Sequence, residues 1–260
     1  MSVIDRWKIT IEYNGAPFCG WQRQREQPSV QEHIENALFK FCQQNITLTV
    51  AGRTDTGVHA RAQIAHFDIE RKNNDQPHHA ETILNAVNFH LRPAPIALIA
   101  AEHVSMDFHA RFGAKEKTYM YRVLTRVPPP VLDQSQIWHL RRPLDIAATQ
   151  HAIKDFLGKH DFSAFRASEC QAKSPIRTIN AAWIETHPYD HQGGIEVQYY
   201  FQGQAFLHHQ VRNMVGTLVE IGQGRRPAND IPRIIASRRR DQAGMTCPPD
   251  GLYLMSIDYL

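Results

Sequence analysis

Within the decapeptide AGRTDTGVHA, Ala51 to Ala60, stand three groups able to do chemistry: the guanidinium of Arg53, the carboxylate of Asp55 and the imidazole of His59. The central Asp-Thr-Gly is the triplet that aspartic proteases use twice, one carboxylate from each of two loops. Such a pair shares one proton, because two close carboxylates cannot both ionise. Here the triplet occurs once, and no Asp-Ser-Gly accompanies it. Only a second copy of the chain could complete a dyad, and a guanidinium two residues away favours an ionised carboxylate over a shared proton.

An ionised carboxylate suits another task. It can attack an electrophilic carbon and form a covalent intermediate, while an arginine holds a phosphate by a bidentate contact. Together they point to a substrate that carries phosphates and reacts at carbon. The competing reading is a plain turn, in which Asp55 or Thr54 bonds its own backbone. Gly52 and Gly57 fit either, since glycine admits positive φ and close approach of a ligand.

Charge elsewhere supports a polyanionic partner. From Phe206 to Arg240 there are seven arginines against Glu220 and Asp230, a balance of 7 − 2 = +5 in a chain whose net charge is +3. Such a run suits a polyanion or forms a solvated helix face. The fifteen histidines raise the question of a metal, but no HExxH occurs, and the neighbours His78-His79 and His208-His209 are expected to point apart on a helix or strand. No metal site is expected. The chain has 260 residues, 42% hydrophobic and 21% charged, as in an ordinary globular protein. No apolar run approaches a membrane span. Charges in MSVIDRWKIT stand where a signal peptide needs apolar residues, so a cytoplasmic protein is expected. Cys19, Cys42, Cys170 and Cys247 lie far apart without metal-like spacing and read as reduced thiols.

These groups need elements to position them. RWKITIEYNG alternates polar and apolar and ends in Asn-Gly, a strand and a turn. SVQEHIENALFKFC places Val30, Ile34, Ala37, Leu38 and Phe41 at helical spacing, with Ser29 and Glu32 as a capping box. ITLTV and QIAHFDI read as strands on either side of the Asp55 loop, AETILNAVNFHL as a helix stopped by Pro93, and IALIAAEHV as a strand. The order strand, helix, strand, strand, helix, strand is that of a split βαββαβ, ferredoxin-like unit. The second half resembles the first less regularly. It reads as a strand EKTYMYRVLT, a proline-rich loop VPPPVLDQSQ, a helix LDIAATQHAIKDFLGKHDF, a hairpin TINAAWIETH–GIEVQYYFQG, a helix FLHHQVRNMVGTLVEIG, a short helix NDIPRIIASRRR and a final strand GLYLMSIDYL. The expectation is an α+β protein of two ferredoxin-like halves, 1–107 and 108–260, with mainly antiparallel sheets joined around a central catalytic cleft.

GRTDTGVHA closely resembles the signature loop of the TruA family of tRNA pseudouridine synthases, which usually reads Gly-Arg-Thr-Asp-Ala-Gly-Val-His-Ala; Thr56 stands for the usual alanine. YNGAPFCGWQRQ with SVQEHIENAL, FHARFGAKEKTYMYRV, DFSAFRASECQAKSPIRTI, AFLHHQVRNMVGTLVEIGQGR and GLYLMSIDY resemble further segments of that family in the same order, so the resemblance covers nearly the whole chain. It implies the pseudouridine synthase fold and isomerisation of uridine to pseudouridine at positions 38, 39 and 40 of the tRNA anticodon arm. It also implies a homodimer whose tRNA contacts both subunits, and no metal or organic cofactor.

By the same resemblance Asp55 falls on the catalytic aspartate. Tyr119 falls on the tyrosine that stacks on the target uracil, Arg212 on the basic residue that pairs with the aspartate, and Arg53 on the arginine tied to flipping the uridine. Leu252 or Leu254 falls where an apolar contact lies beneath the base. The types suit the chemistry. A base must leave the stack before a side chain can reach it, and stacking on an aromatic is worth roughly 1–3 kcal/mol per base. Read without the resemblance, Tyr119 is a core or cross-strand residue and Arg212 a surface charge. His59 is expected either to touch substrate or to orient the loop. Arg23, Arg25, Arg111, Lys115, Lys117, Arg166, Lys173, Arg177 and Arg238 to Arg240 are candidates for the RNA backbone, where contacts position the nucleic acid and carry little sequence information. A non-catalytic RNA-binding module on the same fold is the rival reading.

Overall fold

The structure, a computed structural model, describes residues 2–72 and 76–259. It divides into two compact units. One holds the chain up to Lys115 together with the stretch from Leu254 onward, and the other holds Glu116–Tyr253. The division thus falls after Lys115 rather than near Asp107, and the end of the last strand belongs with the first unit.

In the first unit β1 (Ser2–Tyr13) is followed by α1 (Val30–Cys42), β2 (Thr49–Val50), β3 (His59–Lys72), α2 (Ala80–Leu91) and β4 (Ile96–Val104). β1 lies between β3 and β4, antiparallel to both, and β2 pairs with β3. The order β4–β1–β3–β2 is that of the split βαββαβ unit. β1 alternates as a half-buried strand should. Asp5, Trp7, Ile9, Ile11 and Tyr13 are buried, joined in the core by Val30, Ile34 and Leu38 of α1 and Ile83 and Val87 of α2. Ser29 caps α1 through Glu32 N at 3.3 Å, but the carboxylate of Glu32 turns to Arg23 instead of completing the box. The expected strand Ile46–Val50 shrinks to two residues because Leu48 N donates to the buried carboxylate of Glu35 (3.0 Å), not to a neighbouring strand.

In the second unit β5 (Glu116–Thr125), β10 (Ile195–Gly203) and β9 (Ala181–Pro188) form an antiparallel sheet in the order β5–β10–β9, with β6 (Trp138–Leu140) parallel to β5. With α3 (Ile146–Ala152) between β5 and β9, and α4 (Gln210–Gly222) after β10, these strands take the first, third and second places of the same scheme. A separate pair, β7 (Gly158–Asp161) with β8 (Ile176–Ile179), and the short helix α5 (Ile231–Ser237) are additions. The last strand, β11 (Leu252–Asp258), closes the chain. The helix expected over Leu144–Phe162 breaks into three pieces. α3 is capped by Asp145 through Ala148 N at 2.9 Å, a 3-10 turn covers Ile153–Phe156, and Gly158, at φ 94°, turns the chain into β7. Ile153 and Phe156 stay in the core, so the apolar spacing reads as one continuous helix. Mixed α and β elements on mainly antiparallel sheets make this the expected α+β class.

Candidate active site

The carboxylate loop links β2 to β3 and is held from beneath by residues 13–21. Several hydrogen bonds fasten it. Trp21 N donates to Thr54 O (3.0 Å), Thr56 Oγ1 to Cys19 O (3.0 Å) and Gln63 Nε2 to Gly52 O (2.8 Å), and the hydroxyls of Tyr13 and Thr54 meet at 2.7 Å. The approach is too close for side chains. A Cβ on Gly15 would lie 2.0 Å from Val58 O, and one on Gly20, itself at φ 104°, 2.7 Å from Thr54 O. Val58 N closes a tight turn onto Asp55 O (3.1 Å) around Gly57 at φ 77°. The result is a loop whose Thr54 is buried while Asp55 stays half-buried and Arg53 exposed.

Arg53 and Asp55 do not form the expected close pair: among the described residues Arg53 makes no ion pair. His59 is fully buried, and its Nδ1 accepts from Gly15 N at 3.0 Å. Nδ1 is therefore unprotonated, and the ring ties β3 to residues 13–21. Burial holds the hydroxyl of Tyr13 protonated, pushed up to about 12. The plain-turn reading is met in part: Thr54 is used structurally, but by Tyr13 rather than by its own backbone.

In the second unit Tyr119 sits on β5 opposite Phe201, half-buried between buried Thr118 and Met120. Its ring meets Phe206 edge-on with centroids 5.0 Å apart. Lys117, two residues away on the same strand face, is also half-buried. α4 starts later than the apolar pattern predicts, because His209 adopts φ 60° and Gln210 Oε1 caps Leu207 N at 2.8 Å. The left-handed turn brings the rings of His208 and His209 to 4.0 Å. They do not point apart, as they would on a regular helix. Arg212, in the first turn of α4, donates Nε to Cys247 O at 2.7 Å. Cys247 returns its thiol to Arg212 O at 2.9 Å, and burial raises that thiol to about 12, so it is no nucleophile. The backbone here lies almost on the helix, since a Cβ on Gly216 would sit 1.9 Å from Met245 O.

The remaining candidates are dispersed. Arg25, Arg111, Lys115 and Lys173 are exposed and Arg166 is half-buried. Arg23 pairs with Glu32 and Glu35, at 3.3 and 3.5 Å. Arg177 is turned onto its own loop, donating to Ser174 O and Ile176 O. Leu252 and Leu254 are both buried, Leu254 completely. Much of the charge in the basic run is paired internally: Arg226 with Glu220 and Asp230, Arg233 with Asp230, Arg238 with Asp161 and Arg239 with Asp241. Spacing alone did not point to the supports of the loop, Tyr13, Gly15, Gly20 and Gln63. Their one sequence signal is the pair of glycines in YNGAPFCGW.

A family model described as tRNA pseudouridine synthase matches residues 9–113 and 152–260. The tRNA pseudouridine synthase A of Rhodospirillum rubrum is 44% identical over 254 residues, covering 98% of this chain and 87% of that protein. That of Caulobacter sp. (strain K31) is 46% identical over 256 residues, 98% of each chain. That of Wolbachia pipientis wMel is 45% identical over 255 residues, 98% of this chain and all of that one. With most of the chain matched at once, the protease reading of Asp-Thr-Gly falls, and the chain belongs to the tRNA pseudouridine synthase family, isomerases that act on tRNA.

Proposed function

We propose that the protein isomerises uridine to pseudouridine at positions 38, 39 and 40 of the tRNA anticodon arm, with Asp55 as the nucleophile. The observation that supports this most is the clamped loop. GRTDTGVHA is fastened through Thr54, Thr56 and Gly52, so the carboxylate the reaction requires is carried on a braced loop. A rigid loop keeps a reacting group in a near-attack position, where small displacements are expensive. Asp55 bonds to the flipped nucleotide and the N-glycosidic bond breaks, its electron pair leaving on uracil N1; the uracil turns, its C5 bonds to the anomeric carbon, the bond to Asp55 breaks, and the C5 proton is lost while N1 takes one up. Tyr119 stacks on the extruded base, Arg212 keeps the carboxylate charged, and Arg53 offsets the unpairing, which amounts to a few kcal/mol. Leu252 supplies the apolar contact beneath the base. Arg25, Arg111, Lys115, Lys117, Arg166 and Lys173 track the phosphates of a stem recognised by shape rather than by base edges. The protein works in the cytoplasm as a homodimer, without metal or organic cofactor.

The test is direct. Unmodified tRNA incubated with the protein and then mapped for pseudouridine is expected to carry it at positions 38 to 40, and Asp55→Asn is expected to bind tRNA and make none. Full activity in Asp55→Asn refutes the nucleophile. Binding without pseudouridine in the wild type refutes the activity and leaves an RNA-binding module. Sedimentation of the free protein as a monomer refutes the homodimer.

A further inference from the structure

Residues 242–248 form a strap of irregular backbone laid along α4. It is pressed so close that Gly216 and Gly244 have no room for side chains: a Cβ on Gly244 would meet Thr217 Cα at 2.7 Å. Backbone carbonyls so placed need donors, and side chains supply them. Arg226 donates to Gln242 O (2.8 Å), Arg240 to Gly244 O (2.8 Å), Arg212 to Cys247 O (2.7 Å) and Tyr121 to Pro248 O (2.7 Å). Arg240 is the hub. Its Nη1 holds the strap, while its Nη2 donates both to Asn213 Oδ1 on α4 (3.0 Å) and to Thr246 Oγ1 on the strap (2.9 Å). Thr246 Oγ1 in turn donates to Asn213 Oδ1 at 2.6 Å, and buried Asn213 is anchored by Phe165 O at 2.8 Å.

Arg240 differs from its neighbours in the basic run. Arg226, Arg233, Arg238 and Arg239 pair with carboxylates; among the described residues Arg240 pairs with none. Burial lowers its pKa, with Glu220 opposing. A half-buried guanidinium spent on four strap and helix oxygens is a structural brace, not a phosphate contact. What it braces is the acceptor of Arg212. The guanidinium is planar, so fixing Nε on Cys247 O fixes the plane of the whole fork. Cys247 lies one residue beyond Thr246, and its N–H returns to Arg212 O at 3.4 Å.

We propose that Arg240 is a positioning residue for the isomerisation: through Thr246 and Asn213 it holds the strap that orients the Arg212 guanidinium. This rests on the reading of Arg212 as the group that keeps Asp55 charged. The test uses Arg240→Lys, which keeps the charge but loses the fork, and Thr246→Val, which removes one hydroxyl at the same volume. Each is made alone and in an Arg212→Met background. Steady-state kcat and KM on tRNA are measured. A misaimed guanidinium is expected to lower kcat on the order of 10- to 100-fold at unchanged KM. Neither substitution is expected to lower the rate further once Arg212 is gone. Wild-type kcat in Thr246→Val and in Arg240→Lys overturns the proposal, as do losses that multiply in the Arg212→Met background. Should Arg240→Lys fail to fold, Thr246→Val decides alone. If Arg212→Met itself leaves kcat unchanged, the reading of Arg212 is wrong and the proposal falls with it, a result distinct from a failure of Arg240.

Discussion

The hydroxyl pair Tyr13–Thr54 offers a quantitative test of how the carboxylate loop is held. Both oxygens are buried, 2.7 Å apart, and Thr54 directly precedes Asp55. Removing one partner leaves the other buried and unsatisfied, which costs ~1–3 kcal/mol, whereas removing both forfeits only the net worth of the bond, about 0.5–1.5 kcal/mol. Tyr13→Phe and Thr54→Val each keep the shape of the site. The singles are not equal. Gln63 Nε2 lies 3.5 Å from Tyr13 Oη and can still donate to it when Thr54 is gone, so Thr54→Val is expected to be the milder of the two.

The double variant Tyr13→Phe with Thr54→Val is expected to be about as stable as the milder single. That makes the coupling on the order of 1–3 kcal/mol, at the upper end of what neighbouring residues show. Urea denaturation followed by tryptophan fluorescence measures it, and Trp21, buried with its ring centroid 6.1 Å from Tyr13, reports on this region. In parallel, kcat on tRNA is expected to fall in the singles while affinity for tRNA holds, because a buried hydroxyl does not face the RNA. Additivity of the two single losses would refute the reasoning, since it would mean the two hydroxyls do not satisfy one another.

Three further outcomes are expected. Gly216→Ala gains roughly 1 kcal/mol of helix propensity, but its methyl would sit 1.9 Å from Met245 O; the clash wins, and a lowered Tm with lost activity shows it. His66 is buried, accepts a hydrogen bond from Ala110 N at 3.1 Å, and burial depresses its pKa to about 4 from an ordinary 6.5. The unfolded chain takes up that proton first, so stability falls as pH drops from 6.5 toward 4, by at most about 3 kcal/mol. His66→Asn, which keeps an acceptor and does not titrate, is expected to flatten that part of the stability curve; an unchanged curve refutes the assignment. Arg111→Ala and Lys115→Ala, both exposed, are each expected to reduce the slope of log K for tRNA against log salt by about one. An unchanged slope removes that residue from the RNA surface.

Periodicity located the regular elements because their cores follow a single rule. Alternation in β1 and the 3.6-residue stripe of α1 appear in the structure as they read in the chain. Where one residue overrules the pattern, the reading broke. Gly158 at φ 94° ends a stripe that runs on apolar through Phe156, Glu35 draws Leu48 N away from a strand, and His209 at φ 60° delays α4. At the site the limit lies elsewhere. The expectations for Asp55, Tyr119 and Arg212 rest on motif, whereas the contacts around them are long-range. Tyr13 meets Thr54 across forty-one residues and Arg240 meets Asn213 across twenty-seven, and no local spacing encodes either contact.

The two supports share one design. Around Asp55 and along the strap beside Arg212 the backbone is irregular, so its carbonyls have no ladder to satisfy them, and donors outside the two segments meet several of them. Gly52 O receives Gln63 and Thr54 O receives Trp21 N; Gly244 O receives Arg240 and Cys247 O receives Arg212. Glycines sit where segments touch, at Gly15 and Gly20 beneath the carboxylate loop, and at Gly216 on α4 and Gly244 on the strap where those two meet. A loop with several carbonyls engaged cannot shift without breaking those bonds together, which is how an irregular stretch is made rigid. Amide hydrogen exchange is the measure of that. The Thr217 hydroxyl accepts from Gly244 N at 2.8 Å and donates to Asn213 O at 2.8 Å, so the Gly244 amide is expected to exchange as slowly as those of α4. Arg240→Lys is expected to speed exchange at Gly244 and Cys247 while leaving α4 protected. Fast exchange at Gly244 in the unaltered protein would show that the strap opens on its own and is held by less than its hydrogen bonds imply.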